Sequence, residues 1–131
     1  MSVRKSIVPA GLGANKAFAP GVQIGELLFI SGQVSWDNHG NVVGTDDCEA
    51  QVRQIMSRIR TIAEAAGATL QDVVKFTIYL TDVKNYPMFN KVRCEMFPVN
   101  PPASSALLIA GFLRPEFLVE IEAIVQVPSN Q

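Results

Sequence analysis

Glu120 and Glu122 stand two residues apart in Val119-Glu-Ile-Glu-Ala-Ile-Val125, a run in which apolar and polar residues alternate. Alternation of this kind makes a strand with both carboxylates on one face, about 7 Å apart. Two like charges at that spacing repel each other, and more strongly as water is withdrawn. At least one of the pair therefore needs a partner, access to solvent, or a raised pKa. Either both are solvated or cation-paired carboxylates, or one is a general acid or base held in a cleft. Two other stretches offer polar groups. Ser31-Gly32-Gln33 closes a short apolar run and can present a hydroxyl and backbone N–H groups to an anion. Pro101-Pro-Ala-Ser104-Ser105-Ala106 is a kinked approach to a strand and carries two hydroxyls. Taken singly, these two read equally well as an ordinary turn and an edge-strand start.

Other chemistries lack their residues. His39 is the only histidine and sits in the turn-like Asp37-Asn-His-Gly40, with no Cys or His at ligand spacing. A metal site is not expected on that basis, nor is a Ser–His or Cys–His pair, since a loop rich in Gly and Asn holds a base poorly. No cofactor is implied. Cys48 and Cys94 are too few for a secreted disulfide framework and read as small thiols in a reducing cytosol. Net charge is −1 and the eleven Lys and Arg residues are scattered. Nucleic acid is excluded as a partner because no basic stripe exists to neutralise phosphates. Apolar runs such as Leu27–Ile30 fall far short of the roughly 20 residues of a membrane span. Arg4 and Lys5 are followed by no apolar signal core, so a cytoplasmic protein is expected.

The elements that must position these groups follow from periodicity. At 131 residues the chain is one domain, 1–131, and its 48% apolar content fills a core. Residues 1–25, punctuated by Pro and Gly, read as irregular segments or short edge strands. Leu27–Ile30 is a strand, and Trp36–Gly44 a loop or hairpin. Asp46 and Glu49 stand at capping-box spacing before a helix. Its stripe is Val52, Ile55, Met56, Ile59, Ile62, Ala63 and Ala66, with Gly67 as the stop. Arg53, Arg58, Arg60 and Glu64 lie off that stripe and read as a solvated face. Val73–Thr81 is a strand with Val74, Phe76, Ile78 and Leu80 on one side and Lys75, Thr77, Tyr79 and Thr81 on the other. A second helix starts near Asn85–Pro87, buries Phe89, Val92, Met96 and Phe97, and stops at Pro98. Ser104–Gly111 and Leu118–Val127 are strands. The result is an α/β sandwich with two helices on one sheet face. The other face is too mixed to be simply wet, which suits packing against sister subunits.

In order, Gly21, Ser31-Gly-Gln33, Ala65-Ala-Gly67, Asp72-Val-Val-Lys75, Tyr79-Leu-Thr-Asp82, Asn90, Pro102-Ala-Ser-Ser105 and Val119-Glu-Ile-Glu-Ala-Ile124 resemble the YjgF/RidA family over residues 15 to 127. The resemblance implies a chorismate-mutase-like α/β fold, a mixed sheet and a homotrimer with sites at subunit interfaces. Many members hydrolyse enamines or imines to keto acids and ammonia. Carried over residue by residue, the site implied is Ser31 with Gly32, Asn90 on the second helix, and Glu120 handling the attacking water. Three positions depart from the deaminase pattern. Ser104 stands where an arginine forks the substrate carboxylate, Ala106 where cysteine is common, and Phe18 where a tyrosine is usual. A hydroxyl does not replace a charged fork.

Three explanations follow in order: another cation, Arg114 or Arg93, takes over; the substrate is neutral or of another kind; or the site binds without turnover. Ribonuclease activity is attached to some relatives, and the charge distribution here offers it no support. The expected function is hydrolysis of an enamine, imine or related small nitrogen compound, with Glu120 managing water. Ser31, Gly32, Phe18, Asn90 and Arg114 would contact the substrate, and Ser104, Ser105 and Ala106 would line the cleft. The alternative is a non-deaminating small-molecule-binding or regulatory trimer.

Overall fold

The computed structural model describes residues 3–12 and 17–129. Six strands form one mixed sheet: β1 (Lys5–Ile7), β2 (Gly21–Ile24), β3 (Leu27–Gln33), β4 (Val73–Leu80), β5 (Ala103–Leu108) and β6 (Val119–Gln126). Their spatial order is β1-β2-β3-β6-β4-β5. Every pairing is antiparallel except β4 with β5. Two helices, α1 (Cys48–Ala65) and α2 (Tyr86–Met96), complete the α/β fold. A parallel pair needs a crossover, and α2 with its short 3-10 lead-in, Val83–Asn85, supplies it between β4 and β5.

The helix stripe is buried as its spacing predicts. Val52, Ile55, Met56, Ile59, Ile62 and Ala63 are closed to solvent and pack with Leu28, Ile30, Phe76, Ile78, Val119, Ile121 and Val125 of the sheet. Phe76 meets Phe89 and Phe97 edge-on, which joins α2 to the same core. Removing a side chain such as Ile59 here costs about 2–5 kcal/mol. Gly67 has φ +85, the left-handed stop of α1. Pro87 sits in the first turn of α2, where its missing N–H costs nothing.

Several expectations need correction. The N-cap of α1 is Asp47, whose side chain accepts from Ala50 N–H at 3.0 Å, while Asp46 takes a left-handed turn at φ 61. Strand β3 does not stop at Ile30 but runs through Ser31-Gly-Gln33, with a bulge between Ile30 and Gln33 against β6. Val74 is exposed, because the register with β6 shifts between Val73 and Lys75 and turns it out of the core side. Arg58 is not on a solvated face: it is only 8% exposed, because the end of β3 and the loop after it fold over that side of α1. Among the described residues, no helix is long and apolar enough to cross a membrane.

Candidate active site

The alternation in β6 places Glu120 and Glu122 on the sheet face away from the helices. There they lie beside Tyr79 and Thr77 of β4, which pair with them in register. The two carboxylates resolve their repulsion differently. The Tyr79 hydroxyl donates to Glu122 Oε1. That bond, first of all, lifts the Tyr79 phenol above its usual pKa, since ionising it would set one anion against another. Glu120 is half-buried, and burial, followed by the nearby charge of Glu122, pushes its carboxyl above the ordinary carboxylate value. A proton is therefore held more readily on Glu120 than on a free glutamate, the condition for a group that takes and returns one. Tyr79, Glu120 and Glu122, with Ile109, Gly111, Phe112 and Leu113, line an open trough of about 510 Å³.

Backbone geometry brings the Ser31-Gly32-Gln33 segment to the same carboxylate. A Cβ on Gly32 would lie 2.3 Å from Glu120 Oε2, so the missing side chain is what lets the carboxylate occupy its place. Ser31 Oγ donates to the Ala19 carbonyl at 2.7 Å, and Ser31 N–H to the Pro20 carbonyl at 2.9 Å. These two bonds fasten residues 19–20 to β3 and leave Phe18, 55% exposed, beside Gly32. The start of β6 is set by Gln51, fully buried on α1. Its amide donates to the Gly44 and Glu116 carbonyls at 3.0 and 2.8 Å and accepts Leu118 N–H at 2.9 Å, two residues before Glu120.

The remaining candidates lie elsewhere on the chain. Asn90 belongs to α2 on the helix side, and its Oδ1 accepts from Arg93, whose guanidinium also stacks 5.5 Å over the Phe89 ring. Ser104, Ser105 and Ala106 are exposed on the edge strand β5, beside Phe76, Thr77 and Ile78. The register puts Ser105 on the trough side and Ser104 and Ala106 on the helix side. Arg114 pairs with Glu116 at 2.9 Å and stacks 5.8 Å over Phe117. One chain thus brings together Phe18, Gly32 and Glu120, and leaves Asn90 and Ser104 on the opposite side of its own sheet. Among the described residues no His, Cys, Asp and Glu group has the make-up of a metal site. Burial pushes the Cys48 thiol up to about 11, which makes it a poor nucleophile.

Two residues escaped the sequence reading. Tyr79 was placed on the correct strand face, and its register opposite Glu120 was the signal left unused. Arg58 gave no signal, because its burial comes from the loop after β3. Its Nε donates to Gln33 Oε1 at 3.0 Å and its Nη1 to the Trp36 carbonyl at 3.1 Å. Gln33 in turn donates to the Ser31 carbonyl at 2.9 Å.

With this geometry in view, comparison with known proteins places the chain. It belongs to the Endoribonuclease L-PSP family, whose pattern matches residues 9–127. A Mycobacterium tuberculosis member of the YjgF/YER057c/UK114 family is 30% identical, with a TM-score of 0.80 over 95% of this chain and 100% of that one. RidA from an Antarctic Psychrobacter is 29% identical, with a TM-score of 0.84 over 94% of this chain and all of its own. YyfA of Yersinia pestis, a Rid-family protein of unknown function, is 27% identical, with a TM-score of 0.86 over 95% of this chain and 100% of that one. The YjgF/RidA resemblance and the mixed-sheet α/β fold read from the sequence are borne out.

Proposed function

We propose that the protein hydrolyses a small enamine or imine, releasing ammonia, with Glu120 as the proton-transferring group. The observation that carries this is Glu120 itself: a half-buried carboxyl with raised proton affinity, facing an open trough and flanked by a glycine. Hydrolysis of a C=N bond needs no more than a placed water and a proton shuttle. Glu120 accepts a proton as water adds to the imine carbon and returns it to the nitrogen. The hydroxyl proton of the resulting carbinolamine then passes, again by way of Glu120, to the nitrogen as the C–N bond breaks, giving a carbonyl compound and ammonia. Burial first, and the nearby Glu122 charge second, favour the protonated form of Glu120.

The same reading takes the chain as a single domain that works as a cytoplasmic homotrimer, its sites completed by Asn90 and the Ser104–Ala106 strand of a neighbouring copy. Support comes from the trough-side sheet face, which exposes Ile24, Leu27, Phe29 and Leu107, and from β5, an edge strand exposed along its whole length. Exposed apolar area next to an open strand edge is the usual mark of a covered surface. RNA cleavage fits less well. Net charge is −1, and Arg53 and Arg114 are both engaged by carboxylates.

Freshly generated 2-aminoacrylate, whose imine form is 2-iminopropanoate, is the test substrate, with ammonia as the readout. Glu120→Ala is expected to lower turnover by about 10²–10⁴-fold. Retained turnover would end the mechanism. A second reading, a trimer that binds a small molecule without turning it over, draws on the uncharged Ser104 on β5. It predicts no ammonia from the native protein and only a change of affinity in Glu120→Ala. Sedimentation as a 14.2 kDa particle would overturn the shared-site arrangement in both.

A further inference from the structure

We propose that Arg58 supplies the cation that receives a small carboxylate at the cleft between Phe18 and Gly32. The chain carries this charge in an unusual setting. Arg58 is more than nine-tenths buried, yet it makes no ion pair among the described residues, which include all twelve Asp and Glu side chains. Its identified acceptors, the Gln33 side-chain oxygen and the Trp36 carbonyl, are neutral. A buried charge without a counter-charge is costly, and arginine does not escape that cost by losing its proton. Burial works against the charged form here with no carboxylate opposing it. An incoming anion would supply the counter-charge that its neutral acceptors do not.

The position fits. Arg58 lines a cleft of about 80 Å³ together with Phe18, Pro20, Gly32 and Trp36. One water needs only about 10–15 Å³, so a carboxylate with one or two carbons has room there. Gly32 is shared between this cleft and Glu120, since the space its side chain would take is held by the Glu120 carboxylate. Nε and Nη1 are fixed by their two acceptors, and that orients the rest of the planar fork. Gly32 is the residue that both borders the Arg58 cleft and packs against Glu120. The ligand class that follows is a short monocarboxylate. The identity of the reaction rests on the reading of Glu120 above; recognition of the carboxylate does not. Arg58 thereby takes the part expected of Arg114 or Arg93, which Glu116 and Asn90 already engage.

The probes are pyruvate and its neutral isostere pyruvamide, titrated into the native protein, Arg58→Lys and Arg58→Met. Native protein should prefer pyruvate by about tenfold or more, as a charge-assisted fork contact implies. Arg58→Lys should keep part of that preference and Arg58→Met none, with pyruvamide binding little changed. In the native protein the Arg58 Nε–H resonance should shift with pyruvate and stay still with pyruvamide, a readout that holds even if Arg58→Met fails to fold. Three results would overturn the inference: no pyruvate preference in native protein, a preference that survives in Arg58→Met, or equal weakening of both probes. Failures of the two readings separate cleanly. Glu120-dependent ammonia release with an unmoved Arg58 resonance removes the anchor alone, whereas an Arg58-dependent pyruvate preference without turnover removes the hydrolase alone.

Discussion

Gly32→Ala tests the central geometry with a single methyl group. The added Cβ would fall 2.3 Å from Glu120 Oε2, 2.9 Å from its Cδ and 3.2 Å from its Cγ, whereas ordinary contacts begin near 3.4 Å. What it meets is the end of one flexible side chain, and Gly32 does not have a left-handed φ, so the backbone can stay where it is. Glu120 has to swing away by about 1 Å, and a displacement of that size in a catalytic group costs on the order of 10²-fold in rate. Ammonia release from 2-iminopropanoate should fall by about that factor, while the thermal midpoint shifts by only a few degrees. An alanine variant with native turnover would refute the argument that Glu120 acts from this position. A variant that loses activity only because it unfolds would show that the glycine serves the bulge and not the carboxylate.

Three further outcomes are expected. Glu120→Gln should raise stability near neutral pH, because burial raises the folded-state pKa of Glu120 from 4.5, so the folded form loses stability as pH rises through that shifted value; the gain should fade as pH falls to 4.5, and paired thermal melts across pH 4–8 measure it. Tyr79→Phe removes the hydrogen bond to Glu122 and should cost about 1 kcal/mol in urea unfolding at pH 7. Asp47→Ala removes the N-cap of α1 and should cost about 1 kcal/mol in the same assay with turnover unchanged, since the cap lies apart from the trough.

How far the sequence could be read depended on the range of the forces involved. The α1 stripe and the alternation of β6 are local patterns, and local sterics make them legible: Val52 through Ala63 are buried, and Glu120 and Glu122 share a face. The cap slipped by one residue because Asp46 and Asp47 are chemically alike, and only the left-handed turn at Asp46 decides between them. The bulge in β3 was hidden since its cause lies in the partner strand β6, far along the chain. Arg58 was read wrongly for a related reason. A helical wheel ranks positions by their angle from the core, whereas its burial comes from Gln33 and Trp36, more than twenty residues away in sequence. The separation of Asn90 and Ser104 from Glu120 was equally invisible, as nothing in three short motifs reveals which side of a sheet each occupies.

The strand order has a consequence in time. Strand β6 is the last of the six to leave the ribosome, yet it lies between β3 and β4 and pairs with both. Without it, the sheet order leaves β1, β2 and β3 on one side and β4 and β5 on the other, with no strand pairing to join them. Each half then shows the nascent chain's neighbours a bare edge that the finished protein conceals, and edges of that kind recruit foreign strands. Leu27 must find Gln126 across about three-quarters of the polypeptide, a closure of high contact order and correspondingly slow. The carboxylate that defines the site is therefore carried on the strand that completes the sheet, so no partly made chain can display it in place.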